Sequence, residues 1–85
     1  MNTLKIESVK ALEDKHLLVR FENGMEKVYD CNQLLEMEPF QILKNDAFFK
    51  SVKVDAGGYG ISWNDEVDLS EYELWTNSEA LVLAE

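Results

Sequence analysis

The 85-residue chain holds one cysteine, one histidine and one proline, and it has no lysine or arginine after Lys53. With Cys31 alone, no internal disulfide can form, and the composition suits a reducing compartment. His16 has no cysteine or serine partner nearby in sequence, so a solvent-facing strand-end residue is expected there rather than a general base. No apolar stretch approaches the roughly 20 residues needed to span a membrane. The opening Met-Asn-Thr-Leu-Lys-Ile lacks a basic region followed by an apolar run, so no signal peptide is expected. These absences lead to an expected cytoplasmic location with no membrane association.

The charge that is present is unevenly placed. The net charge is −9. Up to Lys53, eight basic residues nearly balance nine acidic ones, whereas the rest of the chain carries eight acidic residues and no basic one. Such a field repels nucleic acid and attracts basic partners. It also serves simply to keep a small protein soluble.

Local patterns predict an α+β fold. We expect a small, mostly antiparallel sheet built from two β-hairpins, with two or three short helices on one face. Leu4 and Ile6 alternate with polar neighbours and Val9 and Ala11 follow in the opposite phase, which predicts a bulged strand near Ser8. Glu13-Asp14-Lys15 reads as a turn. His16–Glu22 and Met25–Cys31 read as strands joined by Asn23-Gly24, a pair suited to a type I′ turn. That register sets Val19 against Val28, Leu18 against Tyr29 and Arg20 against Lys27. It gives Leu17, Val19, Phe21 and Val28 a shared core face.

Asp30 or Asn32 caps a short helix through Leu34, Leu35 and Met37, ended by Pro39. Phe40, Ile42 and Leu43 form an apolar turn. Asn45 or Asp46 caps a single turn holding Phe48 and Phe49. Val52 and Val54 pair with Ile61 and Trp63 across the glycine-rich turn Gly57-Gly58-Tyr59-Gly60. Ser70 and Glu73 form a capping box, with Leu69 and Leu74 as a hydrophobic staple. We expect one domain over residues 1–77. The apolar tail, residues 78–85, should dock on it or join an oligomer contact.

No catalytic constellation emerges. The glycine-rich turn lacks the Lys-Ser/Thr of a phosphate-binding loop. Asn64-Asp65-Glu66-Val67-Asp68 offers oxygens but lacks calcium-loop spacing and its glycine. Cys31 follows Asp30, which favours the thiol over the thiolate. We therefore expect no enzyme activity, no cofactor and no metal. Trp63 is assigned to the core. Trp75, on the second turn of an acidic helix, is assigned as an exposed anchor.

Several of these segments together resemble a known family. The stretch Val19 to Asp30, then Phe40, Leu43 and Phe48, then Ile61-Ser62-Trp63, Val67-Asp68-Leu69 and Leu74-Trp75, is similar to domain of unknown function 2442 (DUF2442), a group of small bacterial proteins. The likeness runs to about Trp75. It implies a compact α+β domain in a prokaryotic cytoplasm. Family members look like companions of a second small protein encoded alongside, in the manner of toxin–antitoxin pairs. They commonly carry Pro or Gly after the tryptophan, where this chain has Asn64, Asp65 and Glu66.

The resulting expectation is a non-enzymatic protein-binding or regulatory domain, antitoxin-like in its most concrete form. Its acidic C-terminal portion would dock a basic protein, such as a neighbouring gene's product, through Asp65, Glu66, Asp68, Glu71, Trp75 and Glu79. Two alternatives are a nucleic-acid-mimicking inhibitor and a homo-oligomeric module held by residues 78–85.

Overall fold

The computed structural model describes residues 5–80. Leu4 and residues 81–85, most of the expected apolar tail, lie outside them. The fold is α+β: among the described residues, seven antiparallel strands form two sheets, linked by short helices and 3-10 turns. The first sheet has the order β1-β2-β3-β7, formed by Ile6–Ala11, His16–Phe21, Glu26–Asp30 and Glu79–Ala80. The second has the order β4-β5-β6, formed by Lys53–Val54, Gly60–Ser62 and Asp68–Ser70. Helix α1 is Asp46–Phe49 and α2 is Glu71–Asn77. Among the described residues no helix is long and apolar enough to cross a membrane.

Both expected hairpins form, but each belongs to a different sheet. The bulge expected near Ser8 is present: Ile6 partners Phe21 whereas Ser8 partners Arg20. The first hairpin departs from the expected register by one residue. Leu17 partners Tyr29, Val19 partners Lys27 and Arg20 partners Glu26.

The turn accommodates the slip. Phe21 N–H donates to Met25 O (2.9 Å) and Gly24 N–H to Phe21 O (2.8 Å). Gly24 has φ +88°, while Asn23 is not in the positive-φ region. The loop is therefore Glu22-Asn23-Gly24, a three-residue connection whose last residue takes the left-handed conformation, rather than a two-residue I′ turn. Asn23 Oδ1 accepts from Met25 N–H (3.0 Å) and holds it.

A slip of one residue exchanges the faces of a strand. Tyr29 is consequently fully buried and Val28 half-buried, the reverse of the expected core face. The slip also removes the unfavourable Arg20–Lys27 pair. Arg20 instead reaches Glu7 (2.9 Å) and Glu26 (3.5 Å).

The middle of the chain follows its capping chemistry. Asp30 accepts from Asn32 N–H (2.8 Å) and opens a 3-10 turn, Cys31–Leu34. Pro39 does more than stop this segment: it sits in the first turn of a second one, Glu38–Lys44, where its missing N–H costs nothing. Asn45 Oδ1 caps α1 through Phe48 N–H (2.9 Å). The core gathers Leu17, Val19, Phe21, Tyr29, Leu43, Ile61 and Leu74, all fully buried, with Phe49 and Trp63 beside them. The Trp63 indole N–H donates to Phe49 O (2.8 Å), and the two rings stack at 6.1 Å.

Two strands were not anticipated. The start of the expected tail, Glu79–Ala80, pairs with β3 as β7. Before α2, where no strand was expected, Asp68–Ser70 pairs with β5. Its alternation, Asp68 out and Leu69 in, spans too few residues to register as a pattern.

The cap of α2 is half of what the sequence suggests. Ser70 Oγ accepts from Glu73 N–H (3.1 Å). The Glu73 carboxylate does not return to the Ser70 N–H; it accepts from the buried Tyr29 hydroxyl (2.8 Å). A buried phenol requires an acceptor, and Glu73 is the one in reach. Leu69 and Leu74 are both buried, as a staple requires. Ser70→Ala is expected to cost about 1 kcal/mol, readable as a lower urea midpoint at unchanged slope.

Candidate partner-binding groove

A groove of about 670 Å³ runs between the 3-10 segments Cys31–Leu34 and Glu38–Lys44 and the second sheet. One wall carries Leu34, Met37 and Phe40; the other is strand β6 with Glu73 and Asn77 of α2. Met37 is half exposed, at 51%, so a large apolar side chain stands open to solvent there. Gln33 and Asn77 also line a smaller hollow with His16, Asp30 and Glu79. The two depressions therefore adjoin. Asp68 and Glu73 line the larger depression with the apolar side chains, and Asp30 and Glu79 line the more polar smaller one.

Asp68, Glu73 and Glu79 form no ion pair among the described residues, and Asp30 faces His16 at 3.8 Å. Hydrogen bonds from the Asn32 backbone and side chain hold the Asp30 carboxyl below the usual carboxylate range. It thus stays ionised in more acidic solution than a free aspartate. Tyr29 is shifted the other way, its pKa raised by burial and by the Glu73 carboxylate beside it. It remains a neutral donor and fixes Glu73 at the groove wall.

The six residues expected to contact a partner do not share one face. Asp68 lines the groove and Glu79 the adjoining hollow. Asp65 and Glu66 are exposed in the turn between β5 and β6, closed by Trp63 N–H to Val67 O (2.9 Å). Glu71 and Trp75, four residues apart, lie together on the flank of α2 opposite Glu73 and Asn77. Glu71 is half-buried, and its Oε2 is buried without a hydrogen-bond partner among the described residues.

Trp75 is not a free anchor. Its ring meets Phe21 edge-on at 5.0 Å, Lys27 Nζ stands 4.0 Å over it, and the same ammonium donates to the Trp75 carbonyl (2.5 Å). The register slip sets Lys27 beside β7, so a cation from the first half of the chain covers the indole.

Other candidate chemistry resolves into structure. Asn64 Oδ1 accepts from both Glu66 N–H and Val67 N–H (2.8 Å each), so the oxygen a metal would need is already used. Among the described residues no group of three or more His, Cys, Asp or Glu side chains gathers to hold a metal. Cys31 is fully buried, and its pKa is pushed up to about 12 by burial and then by Asp30. It is an inert packing thiol. His16 Nδ1–H donates to Asp14 O (2.9 Å), and the ring is half-buried.

Residues 6–80 match the family described as "Protein of unknown function (DUF2442)". The chain belongs to this family. No curated protein and no solved structure matches it. The DUF2442 match ends at Ala80, the last residue of β7, and so includes the strand that completes the first sheet. In this DUF2442 chain the doubly accepting Asn64 side chain closes the turn after Trp63, where the family resemblance leads one to expect Pro or Gly.

Sequence reasoning missed Gln33, Met37, Phe40 and Asn77 as groove residues, and it assigned Glu73 to helix capping alone. An apolar turn rich in exposed side chains, Met37 to Ile42, was the available signal. It could not reveal which acidic strand lies opposite.

Proposed function

We propose that this DUF2442 domain is a non-enzymatic binding module whose groove takes a basic segment of a protein partner. The observation that carries this reading is the groove itself: Leu34, Met37 and Phe40 face Asp68 and Glu73, two carboxylates with no cation paired to them among the described residues. An apolar floor with anionic rims suits Lys and Arg side chains, whose stems bury while their heads pair. A regulatory, antitoxin-like role is the specific form in which the partner is the product of a neighbouring gene. The nucleic-acid-mimic alternative draws no support from carboxylates divided between the groove, the Asp65-Glu66 turn and the Glu71 flank. Self-association through residues 78–85 rests mainly on residues outside those described.

The test is capture of partners from the native cell at low and high salt, by the wild-type chain and by the double variant Asp68→Asn/Glu73→Gln. The glutamine keeps an acceptor for Tyr29. Removing two rim charges should weaken binding about tenfold, at roughly 0.7 kcal/mol each. High salt should weaken the wild type by a comparable factor. A partner held equally by both chains at every salt concentration would place the contact elsewhere.

A further inference from the structure

We propose that the partner segment binds by strand addition, lying extended along β6 and extending the second sheet. This rests on the binding role assigned above to the same groove. Among the described residues strand β6 is outermost in its sheet: β5 pairs one edge, and the groove borders the strand.

The phase of the ladder determines which backbone groups the open edge presents. Trp63 N–H donates to Val67 O (2.9 Å) and Glu71 N–H to Tyr59 O (3.0 Å). These pairs bracket Ile61–Leu69 at two-residue steps. In an antiparallel ladder, hydrogen-bonded pairs alternate with pairs whose N–H and C=O groups point away from the partner strand. Leu69 therefore bonds toward β5, while Asp68 and Ser70 direct their backbone groups outward.

No other described group takes them. Asp68 N–H, Asp68 C=O and Ser70 N–H have no backbone or side-chain partner among the described residues. The diversion of Glu73 to Tyr29 is what leaves the Ser70 N–H open. The edge thus offers a donor, an acceptor and a donor in the spacing that one residue of an extended peptide and the residue two positions along can meet.

The surroundings select the occupant. Side chains alternating from an added strand would meet Met37 and Phe40 on one side and the Asp68 and Glu73 carboxylates on the other. A short segment alternating apolar with Lys or Arg matches both. A second copy of this chain, at net charge −9, is disfavoured at that rim. The edge is three residues long and runs straight into α2, which limits the addition to a short segment and protects against open-ended stacking.

The probe is a capped Lys-Leu-Lys-Val-Lys peptide titrated into the isotopically labelled full chain at low salt, followed by NMR. Two further peptides carry backbone N-methyl groups at alternate amides, one in each phase, with side chains and charge unchanged. Strand addition predicts that the Asp68 and Ser70 amides shift and exchange more slowly. It also predicts that one N-methyl phase weakens binding by about tenfold, the loss of one or two backbone hydrogen bonds.

If all three peptides bind alike and Asp68→Asn/Glu73→Gln still weakens them, charge recognition stands and strand addition is wrong. If none binds, the binding role of the groove falls with it. If the Asp68 and Ser70 amides respond to protein concentration without peptide, the occupant is another copy of the chain, and the basic segment is the wrong assignment.

Discussion

Phe21→Ala should lower stability by about 4 kcal/mol, the usual range for truncating a buried phenylalanine. Phe21 is fully buried, pairs with Ile6 across the sheet and meets the Trp75 ring edge-on at 5.0 Å. Its removal opens a cavity and also takes away the surface on which Trp75 and α2 rest. A domain of this length is worth only about 4–13 kcal/mol in all, so the variant should be marginal or unfolded in buffer. With a urea slope of about 1 kcal/mol/M, the midpoint should fall by about 4 M or vanish. Phe21→Leu, which refills most of the volume, should recover more than half of the loss. If alanine costs less than about 1 kcal/mol, the junction of Phe21 with α2 is not the centre of the core.

Gly58→Ala should cost about 3 kcal/mol for a different reason. Gly58 is buried with φ +78°, and a Cβ built there would stand 2.7 Å from Ile6 O, 3.0 Å from Lys5 Cβ and 3.1 Å from Ile6 N. The left-handed backbone alone costs an L-residue about 1–2 kcal/mol, and forcing a methyl into packed backbone adds about 1–3. What must yield is the start of β1, so the substitution wedges the β4–β5 turn of the second sheet away from the first.

Gly57→Ala is the matched control. It has nearly the same φ, +83°, but its Cβ would meet only ring atoms of Tyr59, a side chain 59% exposed and free to swing aside. It should cost about 1–2 kcal/mol. The difference between the two variants, measured by urea unfolding, isolates the contact between the sheets. Equal losses would mean that the backbone conformation, and not the close approach to Ile6, makes glycine necessary at position 58.

Much of the fold was legible because much of it is local. Asn45 and Ser70 cap helices through their own side chains, whatever lies across the domain. The phase change after Ile6 announces a bulge without reference to a partner strand. Cys31 is a buried thiol, in keeping with the adjacent Asp30, which disfavours the thiolate. The register of the first hairpin was not legible to the same degree, because Asn-Gly fits both a two-residue and a three-residue loop. The contest is settled by burying Tyr29, whose hydroxyl then has Glu73 as acceptor 44 positions along the chain.

The binding groove was the least legible feature. Its walls come from residues 33–40 and 68–77, and the acidic side chains that seemed to form one surface are divided between the β5–β6 turn, strand β6, strand β7 and the two flanks of α2. Trp75 was assigned outward from its place on an acidic helix, yet Phe21 and Lys27 enclose it.

The sequence by itself determined the α+β class, the capped helix starts, the glycine turns and the division of charge along the chain, since each follows from residues within a few positions of one another. Tertiary structure alone decided the hairpin register, the separation into two sheets, the loyalty of Glu73 to Tyr29 and the open edge of β6. Those depend on which distant groups must be buried together and which hydrogen bonds that burial leaves unmade.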